Sequence, residues 1–311
     1  MTLRHIIGLA LIAAVLPLAV PWLGFVFTLA VGKGLAALGV AVLLRGGLIS
    51  IGHALYFAVG AYATAFLMRN DGINEFLLLL LLSTVVATLV GLVVGVFMVR
   101  YRAIFFAMLN LAVSMVFFTL LSKMYHVTGG TDGLRVATPT LFGFAPSRVQ
   151  FNSVLQYGSL ILMIGAALIV DRYLRSPLGE ALSAVHSNEV RLEYLGVSAR
   201  RVILIAYAAS AALAGLGGTV TAFAVGHIVP ELSYWTISGQ LVLIAVLGGI
   251  GGTPGAFIGA FFLELVRTFA VGFAADAWNV IIGIALLIVI FFLPEGLYGL
   301  LHRTGKQGST P

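Results

Sequence analysis

Residues 76–99, FLLLLLLSTVVATLVGLVVGVFMV, make an uncharged run of 24 residues. As a helix rising 1.5 Å per residue, such a run exceeds the roughly 30 Å hydrocarbon thickness of a bilayer. Further apolar runs lie near 6–22, 25–44, 48–68, 103–123, 152–170, 202–226, 237–251, 255–273 and 277–293, giving about ten candidate spans. Composition agrees with that reading: 61% of residues are hydrophobic, 9% are charged and the mean hydropathy is +1.12. A soluble domain carries roughly 25% charged residues. Only helices and closed barrels satisfy every backbone group in lipid, and barrel-type alternation is absent. The expected fold class is therefore all-α: a polytopic helical membrane protein whose residues 1–311 form one transmembrane domain.

The first residues, MTLRHIIGLALIAAVLPLAVPWLG, have the charged start and apolar stretch of a signal peptide. No small-x-small cleavage site follows, so they read as an uncleaved first span. Loop cations then set the orientation. With Met1 inside, the inner segments hold Arg4, Arg45, Arg100, Arg102, Arg172, Arg175, Arg191, Arg200, Arg201, Arg303 and Lys306, against Arg69, Lys123, Arg135 and Arg148 outside, eleven to four. Both termini are expected in the cytoplasm. The run 237–251 is near the length of a re-entrant segment. Counting it as a span keeps the basic C-terminus inside, so ten are expected. Five spans per half would give the halves opposite orientations, as in inverted repeats, although no internal sequence similarity is visible. The cations sit at span ends rather than in one patch, so the +6 charge does not indicate nucleic-acid binding.

One segment does not fit a membrane. Between Asp171 and Arg201 lie nine of the 28 charged residues, around SPLGEALSAVHSNEVRLEYLG at Ser176–Gly196. Ser176 before Pro177 is a strong helix start, with Glu180 in the first turn where the helix dipole favours an acid. Leu178, Ala181, Leu182, Val185, Leu192 and Leu195 recur at helical spacing. Gly196 suits a C-terminal stop, and Ser187-Asn188 could cap a second short helix after a bend. A helix lying on the lipid surface is the alternative, but the mixed charge, five Arg and four acids over 171–201, differs from the Lys/Arg-rich polar face of such helices. A cytoplasmic docking surface accounts for the segment better.

These residues carry a family resemblance. SPLG, then A-V-H-S-N-E and L-G-V, resembles the cytoplasmic loop of ABC-importer permeases of the branched-chain amino-acid family. Gly47-Leu48-Ile49-Ser50-Ile51-Gly52-His53-Ala54 with Gly60-Ala61-Tyr62, Thr128-Gly129-Gly130-Thr131-Asp132-Gly133-Leu134, Leu247–Ala256 and Pro294-Glu295-Gly296-Leu297 are similar to further motifs of that family, in order from about residue 40 to 297. The subunit type with the longer T-G-G-x-D-G loop is the nearest likeness. The chain departs from the pattern at His186, where relatives have Gly, at Glu180, and at Val40-Ala41, where a polar Asn is frequent. The resemblance implies a second homologous permease, two ATP-binding subunits and an extracytoplasmic solute-binding protein, in the cell inner membrane. It implies an ATPase-coupling role for Ser176, Gly179, Glu180, Ala181, Asn188, Glu189, Leu195 and Gly196. The outer loop of about 124–151, with Thr128, Gly129, Gly130, Asp132 and Gly133, would face the binding protein; turn chemistry explains those glycines equally well.

The chain carries no chemistry of its own for energising transport. There is no G-x-x-x-x-G-K-[ST] loop to cradle phosphate, no cysteine and no His spacing suited to a metal. No convergent acid/base cluster is visible, so neither a cofactor nor an enzymatic activity is expected. Ser50, His53 and Tyr56 sit in a glycine-rich span, and with Asn110 they are candidates for a broken helix lining a substrate pathway. Small-residue packing with a satisfied His53 is the other reading. Each charge inside a span costs about 2.5–3.5 kcal/mol at the bilayer centre. Glu264 and Arg267, three apart, are expected to pair at an interhelical contact, while Lys33 either snorkels outward or faces a cavity. The resulting expectation is a pore-forming ABC permease for branched-chain or similar small amino acids. The alternatives are a stand-alone secondary transporter or channel, and an ABC permease for urea or amides.

Overall fold

The computed structural model describes residues 21–70, 72–249, 251–273 and, beyond them, 280, 281, 283, 284, 287, 291, 292 and 296–299. The runs expected at 6–22 and 277–293 fall mostly outside these. The helices are α1 (Pro21–Arg45), α2 (His53–Asn70), α3 (Phe76–Met98), α4 (Ala103–Lys123), α5 (Tyr125–Thr128), α6 (Arg148–Leu174), α7 (Pro177–Tyr194), α8 (Ala199–Val225), α9 (Trp235–Gly248) and α10 (Thr253–Phe273). Two-residue strands β1 (Leu134–Arg135) and β2 (His227–Ile228) pair antiparallel. Among the described residues, six helices are long and apolar enough to cross a membrane: α1, α3, α4, α6, α8 and α10. The chain is an all-α, polytopic membrane protein.

Helix α8 is the hub, packed against α1, α2 and α3, and small residues make this possible. A Cβ at Gly217 would run into the Gly32 carbonyl, one at Gly60 into the Gly215 carbonyl, and one at Gly218 into the Phe57 carbonyl. Without a hydrophobic drive between helices in lipid, such close backbone contact supplies the dispersion that holds a bundle together. Thr64, Ser83 and Thr219 add a buried hydroxyl cluster joining α2, α3 and α8.

Two of the expected spans are not continuous helices. The run 48–68 becomes helical only at His53, because Gly46 and Gly47 form a turn (Gly47 φ +70°) and residues 48–50 follow as irregular chain. The run 237–251 overlaps the 14-residue α9, which ends at Gly248 and is about 21 Å long at helical rise. It starts deep in the bundle. Ser114, about halfway along α4, donates to the Ser233 carbonyl (2.8 Å), and the Ala54 N–H donates to Ser238 Oγ (2.9 Å). The stretch from β2 down to α9 is covered by the 3₁₀ turn Pro230–Ser233 and irregular chain. Hydropathy alone reads both runs as continuous spans, since it reports apolar content and not where the helix begins.

The packing repeats in reverse. Helices α1 and α8 run antiparallel, with Gly39 against Ser210 and Gly32 against Gly217 and Thr221. Helix α3 lies antiparallel on α8 (Gly91 by Ala211, Gly95 by Tyr207), and α10 lies antiparallel on α1 (Gly34 by Phe257, Trp22 by Phe269). α2–α3 and α9–α10 are the corresponding hairpins, and α2 and α9 each begin after an irregular stretch. α1–α3 and α8–α10 are thus one arrangement in two opposite senses. Residues 46 and 47, 99–102, 249, 251 and 252 and α7 lie at one end of the bundle; residues 72–75, α5 and the β1–β2 pair lie at the other.

Candidate functional site

Helix α7 is built as the sequence suggests. Ser176 Oγ accepts the Gly179 N–H (3.4 Å) and Pro177 occupies the first turn. A Cβ at Gly179 would meet the Tyr173 and Leu174 carbonyls, so glycine lets α7 fold tightly back on α6. Glu180 is exposed in the first turn and Ala181 packs against the core. Leu182, Val185 and Leu192 are buried, whereas Leu178 and Leu195, expected in the same stripe, are exposed. The bend is at Asn188, whose backbone leaves the helical region (φ −162°, ψ 94°) while its Oδ1 caps the Arg191 N–H (2.9 Å). Two hydrogen bonds, from Val197 N–H to Leu192 and from Gly196 N–H to Glu193 (3.3 and 2.9 Å), close a Schellman stop with Gly196 at φ +81°.

Two contacts fix the bent helix to the bundle. Before Asn188, the His186 imidazole lies against Gly47 and Leu182 against Gly46. After it, Arg102 grips Glu189 with both Nε and Nη2 (2.8 and 2.6 Å), and its Nη1 donates to Val99 and Tyr101. The Arg102 hydrogen bonds hold the Glu189 carboxyl below its ordinary value. The sequence showed Arg102 merely as a loop cation. Ala103, next to it, adopts φ +48°, a strained conformation for a residue with a Cβ. Away from these contacts, Val190, Tyr194 and Leu195 are 62%, 88% and 74% exposed, an apolar face beside charged neighbours.

Inside the bundle, all four candidate pathway residues meet. Ser50, His53, Tyr56 and Asn110 are buried together with Tyr207 and Ser210 of α8. His53 Nδ1 is 2.8 Å from Ser50 Oγ, and its Nε2 bonds Ser210. The Tyr56 and Tyr207 hydroxyls are 2.8 Å apart; Tyr207 donates to Asn110, whose Nδ2 reaches the Phe106 carbonyl at 2.8 Å. His53, at the start of α2, is thus satisfied by its neighbours Ser50 and Ser210. Tyr207 and Ser210 were missed; their signal is a Tyr and a Ser three apart in the otherwise apolar first half of the span 202–226. Lys33 neither snorkels nor faces a cavity: it forms a buried ion pair with Glu264 across α1 and α10. Arg267 is the more distant partner, 3.9 Å from the same carboxylate oxygen. The pairing expected within one helix is chiefly between two.

At the opposite end, Thr128 is a buried latch, its Oγ1 donating to the Leu121 and Met124 carbonyls and accepting the Gly130 N–H. Gly129, Gly130 and Gly133 all have positive φ, and a Cβ at Gly133 would strike the Ile228 carbonyl where β1 meets β2. Turn geometry accounts for these glycines. Asp132 remains exposed, touching Tyr125 (3.3 Å). The loop beyond is pinned to the start of α3 by Glu75, which accepts the Phe142 N–H (2.6 Å) and the Thr140 hydroxyl (3.0 Å). Those bonds hold its carboxyl below the ordinary value.

A family model described as "Branched-chain amino acid transport system / permease component" matches residues 22–291. The high-affinity branched-chain amino acid transport system permease protein LivM of Escherichia coli K12 is 30% identical over 272 residues, covering 81% of this chain. The chain spans 64% of the length of LivM. LivH of the same strain is 28% identical over 181 residues (54% of this chain, 58% of LivH). The nucleoside ABC transporter permease protein NupB of Lactococcus lactis is 26% identical over 279 residues (83% and 75%). No solved structure matches. With these matches added to the ordered motifs and the helical membrane fold, the chain belongs to the family of permease components of branched-chain amino acid transport systems.

Proposed function

We propose that this chain is a pore-forming permease subunit of an ABC importer, working beside a second homologous permease, two ATP-binding subunits and an extracytoplasmic solute-binding protein. The observation that carries this reading is α7. A polar, bent helix anchored at one end of the bundle presents Val190, Tyr194 and Leu195 outward, in a chain with no phosphate-binding loop. That combination calls for an ATPase in another chain. α7 and both termini then lie in the cytoplasm, in agreement with the cation bias, and the loop from about 124 to 151 faces the binding protein. Residues 1–311 act as one transmembrane permease domain. The proposed solute is a branched-chain or similar small aliphatic amino acid; the likeness to NupB makes nucleosides the competing class.

Tyr194→Asp tests the docking surface, because an exposed side chain can be changed without disturbing the core. Membrane insertion is expected to remain while the ATP-binding subunits no longer co-purify and uptake is lost. Full uptake by that variant would sink the reading. Competition of uptake by leucine, isoleucine and valine, against adenosine, uridine and urea, identifies the solute class.

A further inference from the structure

Between the irregular stretch after α1 and the start of α4 lies an apolar groove of about 450 Å³, lined on one wall by Gly47, Ile49 and Ile51 and on the other by Ala103, Ala107 and Met108. Each wall ends at an α7 anchor. The first wall begins at Gly47, which carries the His186 ring. The second begins at Ala103, next to Arg102 and its two bonds to Glu189. The anchors lie three residues apart along α7, and the position between them that leaves the helical conformation is Asn188. Both walls also have irregular or strained backbone at the anchor, with φ +70° at Gly47 and φ +48° at Ala103. Beyond Gly47 the same wall runs on to Ser50 and His53 in the buried polar cluster.

We propose that α7 is a two-armed clamp on this groove. The arm before Asn188 holds one wall through His186 and Leu182, the arm after it holds the other through Glu189, and the angle at Asn188 sets the distance between them. A rigid rod docked at one point would move the bundle as a body; a bent helix gripping two walls converts a change of its own angle into a change of groove width. Asn188 and Glu189 are therefore positioning residues. The proposal rests on the ABC-permease reading, which supplies the force on the exposed arm.

The natural chain has no cysteine, so Ile49→Cys with Met108→Cys places the chain's only two thiols across the groove, and the cross-link within this chain is read by its own shift in mobility. In the complete transporter, the yield with a short bifunctional maleimide is expected to differ between the nucleotide-free state and the state trapped with a non-hydrolysable ATP analogue. Asn188→Ala, which lets the helix run through the bend, is expected to abolish that difference and uptake while the ATP-binding subunits still co-purify. Asn188→Asp keeps an N-cap acceptor and is expected to retain both. Equal yields in the two nucleotide states, or a difference that survives Asn188→Ala, overturns the clamp. Failure of the ATP-binding subunits to co-purify even with the unsubstituted chain overturns the importer reading instead.

Discussion

Lys33 shows how far a single residue can be read from sequence. Its cost in a span was legible; its partner, 231 positions away on α10, was not. Removing one member of a buried ion pair leaves the other uncompensated and costs about 3–5 kcal/mol, whereas replacing both with apolar groups is often neutral. Lys33→Met is expected to lower the thermal midpoint of the purified protein clearly, and adding Glu264→Leu to recover most of the loss. A double variant no better than the single would exclude Glu264 as the main partner. Glu75 gives a second test. Its carboxyl is held below the ordinary value by the Phe142 N–H and the Thr140 hydroxyl. A depressed value means that the tether is fully present above the ordinary carboxylate range and is lost as pH falls through the lowered one. Amide protection at Phe142 is expected to hold from neutral pH down through that range and to fall only below it. Glu75→Gln should reduce the protection already at neutral pH.

At the scale of elements, glycines of one type do opposite jobs. Gly217 admits the Gly32 backbone, and a Cβ there has no room; Gly158 of α6 has nothing within 4 Å of its would-be Cβ. Gly217→Val is expected to cost about 1–3 kcal/mol or more through overpacking. Gly158→Ala should stabilise α6 by roughly 0.5–1 kcal/mol; unfolding midpoints of the two variants in one detergent check the contrast. Sequence could not separate these cases, because close approach depends on the neighbouring helix. The caps of α7 were legible, since Ser176-Pro177, Asn188 and Gly196 act on their own backbone within a few residues. The anchors of α7 were not. His186 and Glu189 meet Gly47 and Arg102, which lie 139 and 87 positions away.

At the scale of the molecule, the two reversed arrangements are carried by packing and not by shared residues, which is why no internal similarity shows in the sequence. One break is made by Gly46-Gly47, the other by a Pro230–Ser233 turn, yet each delivers the first turn of a helix to the interior of the bundle, where the Ala54 N–H meets Ser238. The arrangement decides where α9 leads. A re-entrant segment would return its C-terminal end to the side it came from. A crossing built from irregular chain plus 14 helical residues would deliver Gly251 to the α7 side. Single cysteines in place of Thr131, Ser187 and Gly251, all exposed, distinguish these when labelled by an impermeant maleimide in right-side-out and inverted vesicles. Thr131→Cys is expected to react from outside, Ser187→Cys and Gly251→Cys from inside. If Gly251→Cys reacted with Thr131→Cys instead, the reversed repeat would fail. If all three sides were exchanged together, the repeat would stand and the orientation argued from the cations would fall, because turning the whole bundle over leaves every internal contact unchanged.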